Sequence, residues 1–368
     1  MFASTAHAVS FTTPSPHDQP LLLVPLDADA EAAITKALHS NGFRIQRHGF
    51  IMCVENGKSK IAALRRALEE CVPAYLLAHV KGVFTEAPLD SPEPLMEAFL
   101  HAEALPTLFE QAEVAWVRNA LNEGWLFSVF QPIIEATSGE VFAYEALIRA
   151  RPPGSEEIIG AAQLLYACNQ LHLQHQLDRK ARECALRTAA TLPFSHVRYF
   201  INLLPNAVYD PNIFLHSTLA TAQEVGLPLH RIVFEIIEAE HLSNRECLRT
   251  LASALRNQGA SIALSDIMGG FTSLQYLGEL SPDYIKLDRD LVAATVSNPS
   301  ARYTLDSISQ LAHKLNICVV AEGIETIAEM HVCTNAGVDY LQGYLFARPA
   351  NPPHPIPTGL FSHSEHTA

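Results

Sequence analysis

The stretch FSVFQPIIEATSGEVFAYEALIRA, residues 127–150, decides how the rest of the chain reads. Its two apolar runs, FSVFQPIIE and VFAYEALIRA, are rich in β-branched and aromatic residues and predict two strands. Only Thr137-Ser138-Gly139, with flanking glutamates, joins them. Parallel neighbours need a crossover of about a dozen residues or more, so these two strands are expected to pair antiparallel.

Downstream the rhythm repeats. YFINLL, IVFEIIE, SIALSDI, YIKLD, CVVAEGI and YLQGYLFA are short apolar strands, with helical segments between most of them. Eight such strands predict an irregular TIM-type (β/α)8 barrel with an antiparallel first strand. We expect it to span 113–352. Upstream, residues 21–84 run strand, helix, strand, strand, helix, strand (LLLVPL, DADAEAAITKALHSNG, FRIQRHG, FIMCVEN, KSKIAALRRALEEC, AYLLAHV). That order suggests a small α+β module of the split-βαβ type. It serves either packing or dimerisation, or a sensory role, because the fold hosts many functions. Residues 85–112 read as a Pro-rich linker followed by a helix kinked near Pro106. Residues 1–20 and the Pro-rich 353–368 read as tails.

Composition narrows the function classes. The chain has 368 residues, 48% of them hydrophobic, with net charge −14. The apolar content suffices for a large core. The acidic balance argues against a nucleic-acid polymer or an anionic membrane as partner. The seven cysteines are scattered and form no C-x-x-C, as expected of reduced thiols in a cytoplasmic protein. No secretory signal and no bilayer-spanning run is evident.

Polar residues interrupt the apolar strands toward their C-terminal ends: Gln131, Glu145, Arg149, Asn202, Glu235, Glu238, Asp266, Lys286, Asp288, Glu322, Glu325 and Gln342. In a barrel those ends surround one mouth. Converging carboxylates are costly unless compensated. Mg²⁺ or a similar hard cation would compensate them, and two such ions could clamp a phosphodiester. Taken singly, each residue has an ordinary explanation. Asn202 could cap a turn, Lys286 and Asp288 could form an ion pair, and Glu238 and Glu325 could cap the helices that follow. Those explanations leave the strand-by-strand repetition unaccounted for. His172 and His175, spaced as on one helix face, read as a solvated face, and His363 and His366 fall in the tail. Gly269-Gly270 lacks the third glycine of a dinucleotide fingerprint.

These residues resemble the EAL family of cyclic-di-GMP phosphodiesterases. The resemblance rests on Gln131-Pro132, Glu145-Ala146-Leu147 with Arg149, Asn202-Leu203, the E-x-x-E of Glu235 and Glu238, Lys286-Leu287-Asp288, Ala321 to Thr326 as AEGIET, and Gln342-Gly343-Tyr344 with Pro349. It implies that Glu145, Asn202, Glu235, Asp266 and Glu322 ligate Mg²⁺ or Mn²⁺. It makes Lys286, Glu322 and Glu145 catalytic. Gln131, Glu145, Leu147, Arg149, Gln342 and Pro349 would contact the nucleotide, while Glu238 and Glu325 support loops. The N-terminal module shows no GGDEF motif, and a homodimer or a protein partner through that module is expected.

One position departs from the pattern. The family's DDFGTGYSSL corresponds to SDIMGGFTSL, so Ser265 stands where an aspartate bridges the two metals. Ile267, Met268 and Gly269 also differ, as does Ile237 within FEIIE. A hydroxyl binds Mg²⁺ far less well than a carboxylate, and losing a bridging anion weakens both metal positions. The expected cost is on the order of 10²–10⁴ in rate, with a smaller cost in affinity. Hence the expectation is a cyclic-di-GMP receptor with weak or lost hydrolysis. An active phosphodiesterase giving the linear dinucleotide is the alternative, and a scaffold without nucleotide binding stands third.

Overall fold

The computed structural model describes residues 19–55, 57–85, 100–208, 210–237, 245–267, 277–357 and 360–361, with the backbone alone at 48, 266 and 267. The chain divides into two compact units, residues 1–119 with 170–172, and residues 120–169 with 173–368.

The first unit is built on a five-stranded antiparallel sheet. Its strands are β1 (Leu21–Pro25), β2 (Ile45–His48), β3 (Ile51–Val54), β4 (Val80–Phe84) and β5 (Glu103–Ala104), in the order β2-β3-β1-β4-β5. The first four strands thus have the split-βαβ order. Strand alternation sends Leu21, Leu23, Met52 and Val54 toward Ile34, Leu38, Leu64 and Leu68 of the two helices Ala28–Ser40 and Ile61–Cys71. Asp27 caps the first of these helices, accepting from the Ala30 N–H at 2.7 Å. Two local expectations differ here. AYLLAHV is not one strand: Pro73 precedes a helical turn, Ala74–Leu77, which buries Leu76 and Leu77, and the strand begins at Val80. Pro106 does not kink a helix. It lies in the first turn of Leu105–Val114, where its missing N–H costs nothing, and Leu105, Leu108 and Phe109 join the core of this unit.

The second unit is a closed eight-stranded barrel. Its strands are β6 (Leu126–Glu135), β7 (Val141–Ala150), β8 (Arg198–Leu203), β9 (Ile232–Ile236), β10 (Ser261–Ile267), β11 (Tyr284–Leu287), β12 (Cys318–Ala321) and β13 (Tyr340–Leu341). β6 is antiparallel to both neighbours, β7 and β13, and all other pairs are parallel. The three-residue join at Thr137–Gly139 therefore does what its length dictates.

Period-two alternation divides the barrel into an outer and an inner set. Tyr144, Ala146, Ile201, Phe234, Leu264 and Ile285 belong to the large outer core. Ile133, Ala143, Phe200, Val233, Ala263, Tyr284 and Val320 form a separate apolar cluster in the lumen. The closing segment returns to β6, where Ala350 and Phe130 exchange backbone hydrogen bonds of 2.8 and 3.1 Å. Part of the expected C-terminal tail packs on this unit: Ile356, Leu360 and Phe361 rest on its core. A Cβ on Gly139 would come within 2.4 Å of the Phe361 ring.

Candidate functional site

Two residues beyond the apolar lumen layer, the same strands change chemistry. Ala143 is followed by Glu145, Phe200 by Asn202, Val233 by Glu235, Ala263 by Ser265, Tyr284 by Lys286, Val320 by Glu322, and Tyr340 by Gln342. Because side chains two apart share a face, one more step along each strand builds a polar layer on top of the apolar one. Gln131 obeys the same geometry in reverse. It precedes Ile133 because β6 runs against its neighbours, and it lies opposite Glu145 in the β6–β7 register.

The polar layer is organised around the Lys286 ammonium, which is 1% exposed. Its Nζ lies 3.0 Å from Glu145 Oε2, 2.8 Å from Glu235 Oε2 and 2.6 Å from Glu322 Oε1. Asn202 Nδ2 donates to Glu145 Oε1 at 3.0 Å, and Gln342 Nε2 donates to Glu145 Oε2 at 2.7 Å. The Gln131 amide donates to the Ala347 carbonyl at 3.2 Å. Glu145 thus accepts from three side chains, and among the described residues Gln342 Oε1 is buried without a hydrogen-bond partner.

The charges are strongly shifted. Burial pushes the Glu235 carboxyl up to about 8; Lys286 opposes the rise, while Glu145 and Glu322 add to it. Burial also disfavours the Lys286 ammonium, but the carboxylates of Glu145, Glu235 and Glu322 outweigh it and hold the amine well above its ordinary value. For Glu145, burial acts upward, and Lys286 with the Gln342 and Asn202 amides brings the carboxyl below its usual range.

Strand β10 is irregular where the sequence departs from the family pattern. Its register against β11 shifts between Leu264 and Ile267, so Ser265 and Asp266 fall within a bulge. Ser265 is buried. Only the backbone of Asp266 is described, and Glu238 and 268–276 lie outside the described residues.

The other expected residues are placed as follows. Leu147 and Arg149 follow Glu145 on the same strand face, at successive levels toward the mouth, and both are half-buried. Arg149 Nη1 donates to the Ile148 carbonyl at 2.7 Å. Pro349 is half-buried in the closing segment, beside an Arg348 guanidinium that stacks 4.3 Å over the Tyr344 ring. Glu325 is exposed and pairs with Arg289 at 2.9 Å. It caps no helix, because Thr326 and Glu329 form the capping box of Ile327–Asn335. Asp288 does not pair with Lys286; it caps Arg289–Ala294 by accepting from the Asp290 N–H. His172 and His175 do not share a helix. His172 sits in a turn at φ 54°, and only His175 lies on Gln174–Thr191.

Two supports were not read from the sequence. A Cβ on Gly343 would fall 1.9 Å from the Ile324 carbonyl oxygen, so glycine alone permits the contact. There the Ile324 N–H donates to Gln342 O and the Leu345 N–H to Ile324 O, both at 3.0 Å, tying the loop after Glu322 to the one after Gln342. The second is the buried pair Asp178–Arg182 behind β8. Its i,i+4 spacing on a helix was a usable signal.

A cation fits the donor set by its chemistry. Three carboxylates face a single ammonium, an amide stands beside them, and the Gln342 carbonyl oxygen is orphaned. Among the described residues, no three His, Cys, Asp or Glu side chains are arranged as a ready-made metal cluster; the carboxylates are turned onto Lys286 instead.

A barrel with one reversed strand and a carboxylate–lysine layer at its mouth defines a class of α/β barrel, and comparison with known proteins specifies the class. The family model for the EAL domain matches residues 114–349, and the chain belongs to that family. A probable cyclic di-GMP phosphodiesterase of Escherichia coli K12, PdeN, is 30% identical over 241 residues, covering 63% of this chain and 45% of that protein. The crystal structure of a standalone EAL protein from Vibrio cholerae O395, in its c-di-GMP-bound form, superposes with TM-score 0.57 at 26% identity, covering 65% of this chain and 98% of that one. Bacillus subtilis YkuI, in complex with c-di-GMP and calcium, matches with TM-score 0.54 at 25% identity, covering 64% of this chain and 58% of its own. This chain spans less than half the length of the first curated relatives it matches. Among the described residues no helix is long and apolar enough to cross a membrane.

Proposed function

We propose that the barrel binds cyclic-di-GMP over its polar layer and hydrolyses it slowly or not at all, acting as a receptor. The observation that carries this reading is Ser265, buried in the β10 bulge, on the strand that lies between those carrying Glu235 and Lys286. The neighbours that would receive a ligand are retained, while the first carboxylate of an Asp-Asp pair is a hydroxyl.

Glu145, Asn202, Glu235, Asp266 and Glu322 would hold Mg²⁺ or Mn²⁺. When bound, such a cation neutralises the carboxylates and polarises the phosphodiester. Gln342 orients Glu145 and also donates to Gln131 Oε1 at 3.3 Å; Gln131, Leu147, Arg149 and Pro349 line the approach, with the Arg149 guanidinium available to a phosphate or a guanine edge. Lys286 keeps its proton and serves as a fixed positive charge toward the attacked phosphate. Glu238 and Glu325 would support the loops. A signal would leave through the N-terminal unit or a protein partner.

The second reading, an active phosphodiesterase, draws on the convergence of Glu145, Glu235 and Glu322 on Lys286. Calorimetry with cyclic-di-GMP in Ca²⁺, run beside a turnover assay in Mg²⁺ and Mn²⁺, separates the two. Saturable binding without linear product supports the receptor. Product at an ordinary enzymatic rate, absent in a Glu145→Ala control, supports the hydrolase, and no heat of binding removes both.

A further inference from the structure

Asp178 and Arg182 form a buried ion pair on the helix Gln174–Thr191, at 5% and 3% exposure, one turn apart on the face that packs against the barrel. Among the described residues neither is hydrogen-bonded or ion-paired to the polar layer. Each, however, leads to one of its strands.

Asp178 Oδ2 accepts from Arg182 Nη1, and its Oδ1 accepts from the Leu204 N–H at 3.0 Å. Leu204 is two residues past Asn202, where β8 has ended and the backbone N–H has no ladder partner. Arg182 donates to Ser217 Oγ at 3.3 Å, and its guanidinium lies 3.7 Å over the Phe214 ring. Phe214 meets Phe234 edge-on, with centroids 6.1 Å apart. Phe234 immediately precedes Glu235, and Asn202 and Glu235 face each other in the β8–β9 register. One end of the pair thus holds the chain just after Asn202, and the other packs behind the residue just before Glu235.

A buried ion pair is a poor device for stability alone. Desolvation can exceed the attraction, and well-packed apolar residues of similar volume often serve as well or better. What such a pair supplies is direction: a carboxylate fixed by its partner presents its second oxygen to one backbone N–H.

We propose that Asp178 and Arg182 are positioning residues that set the spacing of Asn202 and Glu235 for cation and nucleotide binding. The inference rests on the receptor reading above, because it assumes that those two residues form a ligand site.

The test is on the full chain and uses two paired variants. Asp178→Leu with Arg182→Met removes both charges and the acceptor for Leu204. Asp178→Asn with Arg182→Gln removes both charges but retains that acceptor. For each, thermal midpoint, Mn²⁺ affinity and cyclic-di-GMP affinity in Ca²⁺ are measured well below the midpoint. The Leu/Met variant should keep its midpoint or raise it, yet bind Mn²⁺ at least about tenfold more weakly, in line with losing a group that orients metal ligands. The Asn/Gln variant should stay within about threefold of wild type, as the hydrogen bond that does the positioning survives. Equal affinities in the Leu/Met variant and wild type would overturn the proposal. If the Leu/Met variant does not fold, Phe214→Leu decides: a folded protein with unweakened Mn²⁺ and nucleotide affinity overturns it, and weakened affinity supports it. Wild type that binds neither Mn²⁺ nor nucleotide refutes the receptor reading itself, a different outcome from any of these.

Discussion

Two layers of the same barrel lumen, one side-chain step apart, are built by opposite rules. The lower layer, Ile133, Ala143, Phe200, Val233, Ala263, Tyr284 and Val320, is apolar and closes the fold. The upper layer, Glu145, Glu235, Lys286 and their amide partners, is buried to a similar degree but holds charge. The lower layer gains free energy from leaving water, whereas the upper loses hydration and regains part of it through ion pairs. The difference teaches that the lumen of this barrel concentrates its buried charge in one ring. That ring can then be relieved by a ligand, and the layer beneath supplies the stability that tolerates it.

The largest expected effect is at the defect in the upper ring. Ser265→Asp should raise hydrolysis of cyclic-di-GMP in Mn²⁺ by on the order of 10²–10⁴, measured as linear product. A rate unchanged within threefold would mean that Ser265 does not limit the chemistry. Lys286→Met should come next. It leaves the acidic cage without the ammonium that joins its members, and should cost roughly 3–5 kcal/mol in denaturant unfolding. Added Mg²⁺ should restore part of that loss. Ile133→Ala, one step below, should cost about 2–5 kcal/mol through the cavity it opens. Nucleotide affinity in the folded protein should stay within about threefold. An equal loss of affinity there would break the division between the layers.

A further expected effect is in pH. Glu235 in the folded chain sits at about 8, raised by burial and by Glu145 and Glu322 against Lys286, while an unfolded glutamate titrates at about 4.3. The folded state therefore holds a proton that the unfolded state releases between those values. The stability from Glu235 is complete below the lower value and is lost as pH rises through the upper one. In chelator, the thermal midpoint of wild type should fall from pH 5 to pH 8 more steeply than that of Glu235→Gln. Saturating Mg²⁺ should flatten the wild-type slope. Identical slopes in chelator would show that Glu235 is already ionised across that range.

Much of this was legible along the chain. Apolar runs of strand length, the three-residue join before Val141, and the polar residue recurring near each strand end follow from local periodicity. They were enough to anticipate the barrel, its reversed strand and the composition of the upper ring. Less legible were features whose partners are far apart in sequence. AYLLAHV carries a strand-like composition but begins at a proline and packs as a helical turn. The helix Leu105–Val114 reads as a connector until Phe109 is seen in the first unit's core. Glu325 and Glu329 are both acidic residues near a helix start; the Thr326-x-x-Glu329 spacing was a usable signal that Glu329 completes the cap, whereas the pairing of Glu325 with Arg289 is tertiary.

What the sequence determined by itself was therefore the order of elements, the faces they turn inward and the family, since each depends on neighbours within a few residues. Tertiary structure alone decided that Lys286 gathers carboxylates from positions 145, 235 and 322, that β10 bulges at Ser265, and that Asp178 reaches Leu204. Those are distances between segments far apart in the chain. They are set by barrel closure and by the cost of leaving buried charge unpaired, which no local pattern encodes.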